Sequence, residues 1–148
     1  MEGEKPLGSL ADLIVATSGD AEDIVASDYP LGSYKGVNVD VLDPLQIAAL
    51  HSVLVNKDLT ELLGNYEPIA AGSDSGPWLV KFPEELIAAL GTISPDNQAA
   101  VGSEWAASDQ LQEANWTEQD AVGFVARLVH FAQVVSFEEK ELFLCAYD

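Results

Sequence analysis

This 148-residue chain is strongly acidic, because 25 Asp and Glu against six Lys and Arg give it a formal net charge of −19 at pH 7. That balance argues against nucleic acid and against anionic membranes as partners, since both are bound through clusters of Lys and Arg. Hydrophobic residues make up 48% of the chain. The charge is therefore expected on the surface of a folded domain, and the length matches a single domain over residues 1–148.

The first half of the chain predicts alternating strands and helices. Residues 10–17 are rich in aliphatic and β-branched side chains, which is typical of a buried strand. Asp20, Glu22 and Asp23 then supply the negative charges that the first turn of a helix prefers. The elements predicted for this half are a strand at 10–17, a helix at 20–27, a surface loop at 28–36, a short strand at 37–41, a helix at 43–55 and a helical turn at 59–63.

The second half predicts mostly helix. Pro83 and Pro95 each stand at the first position of an apolar periodic segment, where proline favours the start of a helix. The predicted elements are a strand at 78–82, a helix that starts at Pro83 and includes Leu90, helices at 94–108 and 117–136, and a strand at 142–147. This order predicts an α+β domain: a small, mostly antiparallel sheet that holds both chain ends and is covered by a layer of about five helices.

The few residues that could perform nucleophilic or metal chemistry have simpler explanations. Cys145 lies inside an apolar strand, where a buried structural thiol is expected rather than a reactive thiolate. His51 falls on the apolar face of its helix and is expected to hydrogen-bond a neighbouring backbone group or carboxylate, whereas His130 is expected to face solvent. The two histidines are not spaced to share a metal ion.

No motif for cofactor binding or catalysis is present in the sequence. Asp20-Ala21-Glu22-Asp23 and Ser73-Asp74-Ser75-Gly76 do not follow the alternating carboxylate pattern of a calcium loop. A glycine-rich phosphate loop, a dinucleotide fingerprint and a nucleophile elbow are also missing. We therefore predict no catalytic residue, no metal ligand and no cofactor, which favours a protein that is not an enzyme.

The distribution of charge predicts an anionic docking surface. The sequence carries no Lys or Arg between Lys81 and Arg127, although eight acidic residues fall in that interval. Trp116, which follows Asn115 at a predicted helix start, is expected to be exposed among them, and tryptophan is enriched at interaction hot spots. The residues predicted to bind a partner are Glu104, Asp109, Glu113, Trp116, Glu118 and Asp120.

Two functions follow from these features. The first is a non-enzymatic protein-binding domain, immunity-like or regulatory, which docks a basic protein through its acidic surface. The alternative is an enzyme or a small-molecule-binding protein with a pocket between the sheet and the helices near His51. A polar, open cavity beside His51 favours the alternative, and a filled core there favours the first.

The sequence also predicts where the protein resides. The amino terminus, Met-Glu-Gly-Glu-Lys-Pro, has neither the basic start nor the apolar core of a secretory signal. The single cysteine cannot form a disulfide within the chain. We therefore expect a cytoplasmic protein that does not insert in a membrane.

The segment Ile47-Ala48-Ala49-Leu50-His51-Ser52-Val53-Leu54 resembles the Leu-His-x-x-Leu helix of the YfbM-like family of small bacterial proteins. The likeness extends to the opening strand and helix, the Pro83-Glu84-Glu85-Leu86 helix and the terminal strand. This resemblance implies a small bacterial α+β domain, and the family has no known activity.

Crowding of so many carboxylates carries an expectation of its own. Nearby like charges disfavour ionisation, so we expect the average carboxylate pKa to be raised by folding. Protonation between pH 7 and 5 should then stabilise the folded state.

Overall fold

The sheet defines the fold in a computed structural model that describes residues 11–27, 30–39, 42–72 and 77–146. Five strands form one antiparallel sheet in the order β2-β1-β5-β4-β3. The strands are β1 (Ala11–Ala16), β2 (Lys35–Asn38), β3 (Ala70–Ala71), β4 (Trp78–Lys81) and β5 (Glu141–Ala146). Because β1 and β5 lie near the two chain ends, the predicted α+β class and the sheet that holds both ends are confirmed.

Helices make up most of the remaining described residues. They are α1 (Ala21–Ala26), α2 (Pro44–Val55), α3 (Leu59–Leu62), α4 (Glu84–Gly91), α5 (Pro95–Ala106), α6 (Asp109–Glu113) and α7 (Glu118–Glu138). Short 3-10 turns occur at Ser18–Asp20, Pro30–Gly32 and Leu63–Tyr66. The described part thus has more helices than the five we expected, because the chain divides its helical content into shorter pieces such as α3 and α6.

The pairing of β1 with β5 forms the centre of the sheet. Leu13 lies opposite Leu144 and Ile14 lies opposite Phe143, and all four side chains are buried. Both strands are apolar at successive positions, which fits a sheet that is buried on both faces. On the face that carries Ile14 and Phe143, helix α1 contributes Ile24 and Val25 to the core.

Three elements differ from the predictions for physical reasons. Strand β2 begins at Lys35, inside the predicted loop, because Gly36 lets the backbone approach β1: a Cβ there would lie 2.0 Å from the carbonyl oxygen of Leu13. Strand β3 and helix α6 are too short to produce a periodic signal. Parts of the predicted segments, residues 10, 28–29, 40–41 and 147, lie outside the described residues, as does the segment 73–76.

The chain divides into two compact units that are interleaved along the sequence. The sheet unit comprises the described residues of Met1–Pro44, Tyr66–Phe82 and Val135–Asp148. The helical unit comprises Leu45–Asn65 and Pro83–Val134. Neither unit is continuous in sequence, so the chain passes between them more than once. The single domain over residues 1–148 stays a prediction.

Close packing of α5 against α7 organises the helical unit. A Cβ added to Gly102 of α5 would lie 2.6 Å from the Cα of Val122 in α7, so only glycine permits this approach. At the start of α7, Thr117 and Asp120 form a capping box. The Thr117 N–H donates to Asp120 Oδ2 at 3.0 Å, and the Asp120 N–H donates to Thr117 Oγ1 at 3.1 Å.

Helix α7 is long and apolar enough, by length and composition, to cross a membrane, and it is the one such helix among the described residues. The core helices of folded domains pass the same test. Ala121, Val125 and Leu128 of α7 are fully buried, as expected for a core helix.

Two glycine substitutions test the close contact between α5 and α7. Replacing Gly102 with Ala forces the two helices apart and should lower the free energy of unfolding by about 1 to 3 kcal/mol. Gly123→Ala is the matched control, because no atom lies within 4 Å of an added Cβ; it should raise the free energy of unfolding by up to about 1 kcal/mol. Urea denaturation measures both, and two changes of the same sign would contradict the packing.

Candidate functional site

The scarcity of cations controls the electrostatics of the described residues. Lys35 and Lys140 both contact Glu138, at 2.5 and 3.7 Å, and Lys81 contacts Glu141 at 2.5 Å. In the helical unit, Lys57 contacts Glu85 at 3.0 Å. Every lysine in the described part is thus paired with one of three glutamates. Exposed carboxylates such as Glu104 and Glu113 form no ion pair within the described part, so solvent ions or a partner balance their charge.

Glu141 joins the ends of three strands in the sheet unit. It stands at the first position of β5, and its Oε1 accepts hydrogen bonds from the Ser18 Oγ at 2.7 Å and the Ser18 N–H at 3.2 Å, just after β1. Its other oxygen contacts Lys81 at the end of β4. Burial raises the pKa of Glu141, but Lys81 and Ser18 outweigh this effect and leave that pKa below its ordinary value.

A second group of polar side chains forms around Glu85 in the helical unit. The imidazole of His51 in α2 is fully buried, and its Nε2 lies 2.8 Å from Glu85 Oε1 in α4. Lys57, just after α2, donates to Glu85 Oε2 at 3.0 Å. The hydrogen bonds from Lys57 and then from His51 lower the pKa of Glu85. An ionised Glu85 accepts, so the His51 Nε2 carries the proton.

The expectation for His51 and a neighbouring carboxylate therefore agrees with the structure, although the sequence did not identify Glu85. The partners are 34 residues apart and no spacing rule connects them. The contact holds α4 against the end of α2 and presents only Glu85 and Lys57, both partly exposed, to solvent. This arrangement can orient a carboxylate, and it accounts for a buried histidine without a ligand.

The resolved carboxylate pKa values move in the direction opposite to our expectation. A lowered pKa is found for Asp20, whose carboxylate accepts from the Thr17 backbone and side chain, and for Glu138, which is paired with Lys35. Glu85 and Glu141 shift downward as well. In each case the nearby donors and cations together outweigh burial, so specific pairing decides the direction of the pKa shift at these positions.

Trp116 is held in a fixed position between two helices. Asn115, with φ of 61°, takes the left-handed conformation that ends α6, and the Trp116 N–H donates to the Leu111 carbonyl at 3.0 Å. Its ring lies 5.4 Å from the buried Trp105 and 4.9 Å from Phe124. Trp116 is half-buried rather than exposed, because these two rings cover part of it.

The aromatic series is anchored in the core of the helical unit. The Trp105 Nε1 donates to the backbone carbonyl of Gln46 at 2.9 Å, and both residues are buried. At the other end, the guanidinium of Arg127 lies over the Phe124 ring, 5.3 Å from its centre. The unit's second cation, like Lys57, is therefore in contact with a partner.

The predicted acidic residues lie on α5, on α6 and in the first turn of α7, the elements that carry or adjoin Trp105, Trp116 and Phe124. We call this set the Trp116 surface, and its members are Glu104, Asp109, Glu113, Trp116, Glu118 and Asp120. Asp120 has a structural role in the capping box. The other four carboxylates are exposed and form no ion pair within the described part of the chain.

The remaining candidates for chemistry have structural positions. Cys145 is fully buried in β5, and His130 is exposed on α7 beside the ring of Phe131. Among the described residues, the structure brings together no three His, Cys, Asp or Glu side chains in a group that could hold a metal ion.

The structure adds one feature that the sequence did not predict, a cleft in the sheet unit. The cleft has a volume of about 630 Å³ and lies between helix α1 and the segment that includes β3. Its lining residues are Glu22, Asp23, Val25, Ala26, Ile69, Ala70, Ala71 and Gly72. We call it the α1–β3 cleft. From the sequence, Glu22 and Asp23 were assigned to the start of a helix, and β3 was not predicted. No sequence pattern therefore indicated that these two carboxylates lie close to β3.

Comparison with protein-family models, with curated proteins and with solved structures finds no match to this chain. The resemblance to the YfbM-like family therefore stays a prediction.

The lowered carboxylate pKa values predict acid destabilisation with a defined sign. A group whose pKa is lower when folded stabilises the fold above its unfolded pKa, and that stabilisation is lost as pH falls through the folded pKa. For Asp20, Glu85, Glu138 and Glu141 the loss should begin below about pH 5, where unfolded carboxylates start to protonate. Melting temperatures from pH 7 to pH 3 measure it. The melting temperature of the Glu141→Gln variant should fall less steeply with decreasing pH than that of the original chain. Equal slopes for the two proteins would contradict the assignment of this effect to Glu141.

Proposed function

We propose that this chain is a non-enzymatic protein-binding domain that docks a basic partner through the Trp116 surface. The observation that carries the proposal is the disposition of cations in the helical unit. The unit contains Lys57 and Arg127 as its only Lys and Arg, and both contact groups within the unit. The exposed carboxylates of the Trp116 surface are therefore free to meet cations from another molecule.

The geometry at Trp116 supports this function in a second way. Interfaces obtain most of their affinity from a few well-positioned aromatic side chains, surrounded by polar residues that set orientation and rate. Trp116 is held by Trp105, Phe124 and the Leu111 carbonyl, so little conformational entropy is lost when a partner covers its exposed part. The surrounding carboxylates would accelerate encounter with a basic protein at low salt.

The setting of this function follows the same proposal. A cytoplasmic, immunity-like or regulatory protein could neutralise or control a basic protein without chemistry of its own. A YfbM-like origin would be compatible with this role, since that resemblance implies a small bacterial domain without a known activity.

Charge-neutral variants of the Trp116 surface test the proposal. We expect the immobilised domain to retain basic proteins at about 50 mM salt and to release them near 300 mM, because screening weakens exposed charge pairs. The combined substitution Glu104→Gln, Glu113→Gln and Glu118→Gln should abolish this retention. Captured proteins are identified by mass spectrometry.

The matched control is the combined substitution Glu61→Gln, Glu84→Gln and Asp96→Asn, which removes the same charge from exposed positions elsewhere in the helical unit. It should leave retention nearly unchanged. Equal loss in both variants would show that net charge, and no particular surface, attracts basic proteins. Retention that is independent of salt would contradict an electrostatic partner.

The alternative, a small-molecule pocket near His51, is tested through stability. Because His51 is buried and bound to Glu85, His51→Gln should lower the melting temperature by a few degrees and leave partner binding unchanged. Differential scanning fluorimetry with a metabolite library provides the comparison. The alternative would be favoured if the His51→Gln variant kept the melting temperature of the original chain and a compound stabilised the original chain but not this variant.

A further inference from the structure

The α1–β3 cleft combines negative charge with an exposed apolar side chain. Glu22 and Asp23 of α1 are exposed and form no ion pair among the described residues. Ile69 lines the opposite side and remains 48% exposed. Lys and Arg side chains match this combination, because their apolar stems cover hydrophobic surface while their charged ends reach carboxylates.

The negative potential of α1 is felt by its surroundings. Burial first, and then the charges of Asp20 and Asp23, raise the pKa of Tyr34 in the same unit. The described lysines of the sheet unit are bound to Glu138 and Glu141, so none of them is paired with Glu22 or Asp23. A cation from outside is the complementary ligand.

The backbone of β3 supplies the second component of the site. Strand β3 is the last strand in the described sheet and pairs only with β4. The Gly72 N–H donates to the Pro77 carbonyl, and hydrogen-bonded pairs alternate along antiparallel strands, so the N–H and C=O of Ala71 point away from β4. An added strand can bind at this edge.

We propose that the α1–β3 cleft binds an extended basic segment of a partner protein, which pairs with the edge of β3 and inserts cationic side chains beside Glu22 and Asp23. The register follows from the alternation of side chains. Ala70 faces the α1 side of the sheet with Leu79, so the residue opposite Ala71 points to the other face. The residues before and after it point into the cleft, and these are the lysines or arginines.

This proposal rests on the proposed function in taking the partner to be a basic protein, but it assigns a different site. A fluorescein-labelled peptide of alternating lysine and valine is the probe, and fluorescence polarisation is the readout. We expect it to bind the full chain at low salt at least about tenfold more tightly than a peptide of the same composition with its lysines in one block. Equal binding of the two peptides would overturn strand pairing.

Two variants separate the components of the site. The double substitution Glu22→Gln and Asp23→Asn should lower the affinity for the alternating peptide by about tenfold or more. Ala71→Pro removes an N–H that β4 does not use, which an edge strand tolerates, and should weaken the peptide equally while the circular dichroism spectrum is retained. Unchanged affinity in either folded variant would overturn the proposal.

The combined substitution of Glu104, Glu113 and Glu118 distinguishes this site from the Trp116 surface. We expect it to leave peptide affinity within about twofold. Peptide binding that is lost there but retained in the Glu22 and Asp23 variant would overturn the cleft and support the Trp116 surface. Free spermidine is tested as a competitor beside unlabelled peptide. If spermidine displaces the labelled peptide as effectively as the unlabelled peptide does, the cleft binds small amines, and the proposal of a protein segment is overturned.

Discussion

The electrostatic constraint on this molecule is that the few cations of its described part are already in contact with groups of the same chain. Four lysines in the described part bind only Glu85, Glu138 and Glu141. Within the sheet unit these pairs lie at strand ends: Lys35 begins β2, Lys81 ends β4 and Glu141 begins β5. These lysines therefore stabilise the fold, and the carboxylates without a lysine partner give the surface its negative charge.

That division connects structure with function. A carboxylate that contacts lysine has a lowered pKa and resists protonation, whereas one without a cation repels its neighbours and attracts external cations. Carboxylates of the second kind include those of the Trp116 surface and those of the α1–β3 cleft. Each of these two sites also has a partly exposed apolar side chain, Trp116 or Ile69, which can supply affinity that charge alone does not.

Sequence patterns predicted the large elements and missed the small ones. The continuous apolar runs of β1 and β5, and the prolines at the starts of α4 and α5, are local signals that tertiary packing reinforced. The two-residue strand β3 and the five-residue helix α6 have no periodicity to detect. The candidate sites were likewise predicted only in part. The acidic stretch was visible in the sequence, but the pairing of His51 with Glu85 and the position of Glu22 across the cleft from Ile69 depend on folding.

The central claim is that lysines are held by specific carboxylates, and a double-mutant cycle on Lys81 and Glu141 tests it most directly. The free energies of unfolding are measured at low salt for Lys81→Met, Glu141→Gln, the double variant and the original chain. The account predicts a coupling of about 1 kcal/mol, because both side chains are partly buried and joined to Ser18. Effects that add to within about 0.3 kcal/mol would contradict it.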